Sequence, residues 1–137
     1  IIDEVELDPE IEAVNKERAQ ELLALEAEGI KFIVGLEPEW KEAKRNNKGY
    51  DLFKVDSHGN EVEWCEVKAM RDDLSVRSVA MSKAQFEFAV KYGRKFSLYV
   101  VENAGAKSQR LVKIPDPYGA AKYFSFDMGW VKYFREA

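Results

Sequence analysis

Cysteine and histidine are nearly absent from this chain. One of each, Cys65 and His58, stands among 137 residues, so no internal disulfide can form and no Cys/His zinc site can be assembled. Any bound metal would need oxygen ligands. No run approaches the roughly 18 apolar residues of a membrane-spanning helix. The N-terminus IIDEVELDPE is acidic where a secretory signal peptide begins basic. The chain therefore reads as cytoplasmic, or nuclear if eukaryotic, with no membrane partner. An initiator Met is missing too, which reads as a segment of a larger multidomain protein. Internal repeats and low-complexity segments are absent, and so is a net basic charge, the total being −4.

What remains is an ordinary globular composition. Hydrophobic residues make up 46% and charged residues 34%, enough apolar content for a core and enough charge for solubility. The length suits a single domain over residues 1–137. Charge is divided unevenly along it: residues 1–42 hold 4 basic and 13 acidic side chains, whereas residues 69–113 hold 9 basic and 4 acidic. Such a basic half could face phosphates while the acidic half faces solvent or a partner domain. A solvated surface with chance clustering is the plain alternative.

The pattern of breakers and apolar spacing predicts the order αβββαββ. Asp8 and Pro9 fit an N-cap followed by Pro at the first helical position, and Ile11, Val14, Leu22 and Leu25 keep helical spacing until Gly29. Ile30 to Glu37, IKFIVGLE, is short, β-branched and aromatic and reads as a strand, followed by a polar connection, PEWKEAKRNNKG. A hairpin spans Gly49 to Lys68. After the irregular SVRSVAMS, Ser82 and Gln85 form a capping box for a second helix that Gly93 ends. KFSLYVVEN and QRLVKI read as two further strands joined around Gly105, and PDPYG breaks the pattern. The tail YFSFDMGWVKYF is aromatic and fits helix or strand. This order describes a mixed β-sheet flanked by helices, an α/β fold of the α+β kind.

The hairpin, GYDLFKVDSHGNEVEWCEVK, carries the chemistry. If Ser57–Asn60 is a four-residue loop, Asp56 pairs with Glu61, Val55 with Val62, Phe53 with Trp64 and Asp51 with Glu66. Alternation then places Asp51, Phe53, Val55, Val62, Trp64, Glu66 and Lys68 on one face of the sheet. That face is apolar except at one end, where two carboxylates have Cβ atoms about 5 Å apart and an ammonium stands two residues along. Two close anions in a half-buried place repel, and a divalent cation is one remedy. A hard cation such as Mg²⁺ suits carboxylates and a main-chain carbonyl, for example that of Val67, and would activate water against a phosphodiester. Lys68 could deprotonate that water or neutralise the phosphate. The plain alternative is a solvated strand end with cross-strand ion pairs.

Asp51, then fourteen residues, then Glu66-Val67-Lys68 at the end of a hairpin resembles the PD-(D/E)XK nuclease signature. More narrowly, GYDLFKVDSHGNEVEWCEVKAM, SKAQFEFAVKYGRKFSLYVVEN and LVKIPDP resemble the C-terminal domain of the plant protein NO VEIN and its prokaryotic relatives, over roughly Ala13 to Pro117. Lys48 departs from the Pro that often precedes GYD in such domains. The resemblance implies a restriction-endonuclease-like core, often joined to helicase or ATPase modules in DNA restriction and phage defence. Asp51 and Glu66 would then bind Mg²⁺, with Mn²⁺ able to substitute, and Lys68 would be the catalytic lysine. The superfamily often adds a glutamate from the first helix. An antiparallel return from that helix into a first strand would favour Glu10, then Glu17, over Glu21 or Glu28.

Other candidates surround this centre. Gln85 could touch substrate or water, although the capping box alone explains it. Lys83, Lys91, Arg94 and Lys95 around the second helix could contact a DNA backbone, with surface solubility as the alternative. Arg71 and Arg77 fall in a segment beside the site. Tyr118, Tyr123, Phe124, Phe126, Trp130, Tyr133 and Phe134 could stack bases or pack on the core. Cys65 reads as a small buried residue, His58 as a turn residue, and a homodimer stays open.

Overall fold

The computed structural model describes residues 9–44, 49–76 and 79–122, with side chains from Asn15 onward. The first helix, α1, opens on Pro9 and runs to Leu36, roughly 40 Å of helix at 1.5 Å per residue. It passes straight through Gly29 and takes in most of the segment expected as the first strand. Two facts explain this correction. Ile30, Ile33 and Val34 recur at helical spacing and pack on the sheet, and Gly29 is a contact point instead of a stop. A Cβ at Gly29 would lie 3.1 Å from Ala69 Cβ and 3.4 Å from Val101 Cγ2, so its bare Cα lets the helix lie close against two strands. The helix ends just ahead of Pro38, which disfavours helical backbone in the residue before it. The last turn closes through the Glu37 N–H to the Ile33 carbonyl at 2.8 Å.

The first strand comes from the expected polar connection instead: β1 is Lys41–Glu42, followed by β2 Leu52–Val55 and β3 Glu61–Ala69. Helix α2, Lys83–Tyr92, has the expected capping box of Ser82 and Gln85 and ends at Gly93. Strands β4 Phe96–Glu102 and β5 Arg110–Pro115 follow, then a short helix α3, Pro117–Ala120. Among the described residues the order αβββαββ stands, with a 3-10 turn, Gly93–Lys95, and the short helix α3 added. The sheet has, among the described residues, five strands in the order β1-β2-β3-β4-β5, antiparallel except for the parallel central pair β3 and β4. A parallel pair needs a crossover, and α2 supplies it. This is a mixed α/β fold with helices flanking a mixed sheet, consistent with a restriction-endonuclease-like core.

Alternation along β3 and β4 divides the core between the two faces. Leu52, Cys65, Val67, Tyr99 and Val101 meet Ile33 of α1 on one face. On the other, Met70, Leu98 and Val100 form a second cluster with Leu74 and Val79. Beside it, Phe88 of α2 packs against Tyr50, Trp64, Tyr92 and Phe96. Glu102 is buried, and it accepts the Leu74 N–H at 2.7 Å and meets Arg110 Nε at 3.1 Å. That pairing secures the irregular segment that leaves β3.

The hairpin turns in three residues, Ser57–Gly59, not four. The Asp56 N–H bonds to the Asn60 carbonyl at 2.9 Å, and Gly59 adopts φ 82°, the pattern of a three-residue loop with a left-handed glycine. Val55 therefore pairs with Glu61, not Val62, and a shift between Lys54 and Val55 absorbs the missing residue. Phe53 still pairs with Trp64. His58 is an exposed turn residue and Cys65 is fully buried.

Candidate metal centre

Asp51 stands at the threshold of β2, and its main chain is held from both sides. Its N–H donates to the Cys65 carbonyl at 2.9 Å, and its own carbonyl accepts the Ala43 N–H at 2.9 Å. The regular pairs begin one residue later, at Leu52 and Cys65, so Asp51 does not sit opposite Glu66 in the ladder as the four-residue loop implied. Its side chain crosses the gap. Asp51 Oδ2 accepts the Val67 N–H at 2.8 Å, replacing the partner that β2 no longer provides.

Glu66 and Lys68 point to the face covered by α2. Glu66 is 2% exposed, yet Gln85 Nε2 donates to its Oε1 at 2.7 Å. Lys68 Nζ donates to Gln85 Oε1 at 3.2 Å and lies 3.5 Å from Glu66 Oε1. Gln85 thus completes the cap of α2 and also reaches Glu66 and Lys68. A third carboxylate arrives from the opposite layer. One carboxylate oxygen each from Glu26, Asp51 and Glu66 lie within 4.8 Å of one another, because β2 ends before it can separate α1 from the far face.

Glu26 is the residue that sequence reasoning missed. Glu17 is exposed, and the Glu10 side chain lies outside the described residues. Both choices followed from ending the helix at Gly29. With the helix extended to Leu36, its C-terminal half crosses the sheet. Glu26 then shares a face with Gly29, Ile30 and Ile33 at the i, i+3, i+4, i+7 spacing. A lone glutamate on an apolar stripe was the available signal.

Electrostatics mark the cluster as strained. Burial, followed by the charge and hydrogen bonding of Asp51, pushes the Glu66 carboxyl up to about 9, with Lys68 pulling the other way. Burial and then Asp51 push Glu26 up to about 7. Neither group ionises easily while the charges face one another, the condition that a cation relieves. The donors are hard oxygens without nitrogen or sulfur, a set that fits Mg²⁺ or Mn²⁺ better than zinc. The Val67 N–H faces Asp51, and its carbonyl leaves β3 on the same side by strand geometry.

The basic candidates are less gathered. Lys83 lies beside Gln85 at the start of α2 and pairs weakly with Glu87 at 3.9 Å. Lys91 Nζ sits 5.2 Å from the Tyr92 ring centre. It lies roughly 10 Å further along the helix, and the exposed Arg94 and Lys95 follow in the 3-10 turn Gly93–Lys95 after it. Arg71 is exposed three residues past Lys68. Arg77 and the aromatic tail from Tyr123 to Phe134 lie outside the described residues, while Tyr118 packs edge-on against Phe86 with ring centres 5.7 Å apart.

The family model described as Protein NO VEIN, C-terminal, matches residues 11–114. The chain belongs to that family. The NO VEIN C-terminal match takes in α1 from its first turns, the whole sheet up to Ile114, and all of Glu26, Asp51, Glu66, Lys68 and Gln85. No curated protein and no solved structure matches the chain. Among the described residues no helix is long and apolar enough to cross a membrane.

Proposed function

We propose that this NO VEIN C-terminal domain is a divalent-metal-dependent endonuclease module that hydrolyses DNA phosphodiester bonds within a larger restriction or phage-defence protein, beside an ATPase or helicase. The observation that carries this reading is the meeting of Glu26, Asp51 and Glu66 with Lys68 where β2 ends. Three carboxylates, from α1, from the entry to β2 and from β3, two of them held against ionisation by burial and mutual repulsion, make a cage that favours a small hard cation. Mg²⁺ or Mn²⁺ bound there would supply Lewis acidity and a more acidic water.

The chain's own groups supply the rest. Asp51 is fixed by the Val67 N–H, and Glu66 by Gln85. Lys68 is 26% exposed in its side chain, enough for its ammonium to meet a phosphate oxygen or take part in proton transfer at the attacking water. Lys83 at the start of α2 and Arg71 just past β3 suit phosphate contacts, and Lys91 on α2 with Arg94 and Lys95 in the turn after it could extend the track. The PD-(D/E)XK pattern of Asp51, Glu66 and Lys68 favours the same chemistry.

The test is cleavage of plasmid and single-stranded DNA with Mg²⁺ or Mn²⁺, using the full-length protein. Asp51→Asn, Glu26→Gln and Glu66→Gln should each lower the rate at least 100-fold, and Lys68→Ala to a similar degree. Activity indifferent to all four would defeat the assignment. Metal-independent DNA binding without cleavage in any condition would favour a non-catalytic nuclease-fold module that docks nucleic acid or a partner protein.

A further inference from the structure

Gln85 is explained only in part by the helix it caps. The Ser82 hydroxyl accepts the Gln85 N–H at 3.1 Å and the Ser82 N–H donates to Gln85 Oε1 at 2.8 Å, which completes the capping box. A glutamate would cap equally well. What the amide adds is a donor, Nε2, and it is spent on the buried Glu66 Oε1. The remaining capacity of Oε1 receives the Lys68 ammonium.

The orientation of this amide is determined by its neighbours. Turned over, Nε2 would face the Ser82 N–H and the Lys68 ammonium, donor against donor, and Oε1 would face the Glu66 carboxyl. Only the observed orientation accepts both the Ser82 N–H and the Lys68 ammonium while turning a donor to Glu66. The main-chain N–H at the start of α2 is thereby coupled to two groups on β3.

We propose that Gln85 is a positioning residue of the centre: locked by the Ser82 N–H, its amide occupies Glu66 Oε1 and anchors Lys68, leaving Glu66 Oε2 as the oxygen presented to the cation. The proposal rests on the metal-site reading above. It assigns the cap of α2 a second purpose, holding the metal-binding and proton-handling groups of β3 in one mutual arrangement.

Two variants separate this role from simple capping. Gln85→Met keeps the length, neutrality and helix propensity of the side chain but loses the amide. Ser82→Ala loses the capping hydroxyl but keeps the main-chain N–H that locks Gln85. Mn²⁺ titration of the intact chain should show at least a tenfold loss of affinity in Gln85→Met and less than a twofold change in Ser82→Ala, although both melt at lower temperature. Wild-type affinity in Gln85→Met, or equal losses in the two variants, would overturn the proposal. If the wild type takes up no Mn²⁺, the metal-site reading fails by itself, and exchange of the Gln85 side-chain amide protons then decides the clamp. Protection in the metal-free wild type that is lost in Glu66→Ala supports it, and unprotected amide protons refute it.

Discussion

Asp51 accepts the Val67 N–H through Oδ2 while its charge presses on Glu26 and Glu66. The first interaction stabilises the fold and the second opposes it, and the two can be separated by substitution. Asp51→Asn keeps an oxygen for the Val67 N–H and removes the charge, whereas Asp51→Ala leaves the N–H of a buried residue without that partner. Urea unfolding without metal should show Asp51→Ala less stable than Asp51→Asn by about 1–3 kcal/mol. Neither variant should retain tight Mn²⁺ binding. Equal stability of the two would mean that the Val67 N–H finds water at no cost. The importance of Asp51, Glu66 and Lys68 was legible in the sequence because acidic and basic side chains interrupt one end of an apolar hairpin. The manner of their meeting was not. A loop shortened by one residue and a compensating shift at Val55 leave Phe53 on Trp64, while Asp51 leaves the ladder and reaches across by its side chain.

Helix α1 shows how one glycine changes the reading of a whole element. Gly29 and Gly35 lie six residues apart in the same helix, yet a Cβ at Gly35 would have nothing within 4 Å while one at Gly29 would press on Ala69 and Val101. Gly35→Ala should therefore stabilise the chain by about 0.5–1 kcal/mol through backbone entropy. Gly29→Leu should cost about 1–3 kcal/mol by overpacking. Because Glu26 is one turn away, Gly29→Leu should also weaken Mn²⁺ binding, and Gly35→Ala should leave it unchanged. Melting curves and a Mn²⁺ titration on the two variants check this together. Opposite behaviour would place the helix elsewhere. The capping box of α2 was legible because Ser82 and Gln85 act on their own helix. The end of α1 was not, because Ile30 to Glu37 suits strand or helix by composition and only packing on the sheet chooses between them.

At the scale of the molecule, the centre links proton uptake, metal uptake and stability. Glu66 and Glu26 have folded-state proton affinities above the ordinary value of 4.5. Without metal the folded chain therefore holds protons that the unfolded chain releases. The contribution of this linkage is complete below pH 4.5 and is lost as pH rises, through about 7 for Glu26 and about 9 for Glu66. Scanning fluorimetry should show the metal-free melting temperature falling between pH 5 and pH 9. Glu66→Gln should flatten that slope. Mg²⁺ or Mn²⁺ should restore stability above pH 7, by about 2.7 kcal/mol at a hundredfold excess over its dissociation constant, and a flat wild-type profile unaffected by metal would contradict the linkage. The sequence by itself determined the alternation of apolar and charged residues, the caps of α2 and the order of the elements, since each depends on neighbours a few residues apart. Tertiary structure decided that α1 continues past Gly29, that β2 stops short of Asp51, and that Glu26 comes from the far layer to join Glu66. Those outcomes depend on how closely a helix can approach a sheet and on where a strand loses its partner, contacts between residues distant along the chain that local pattern does not encode.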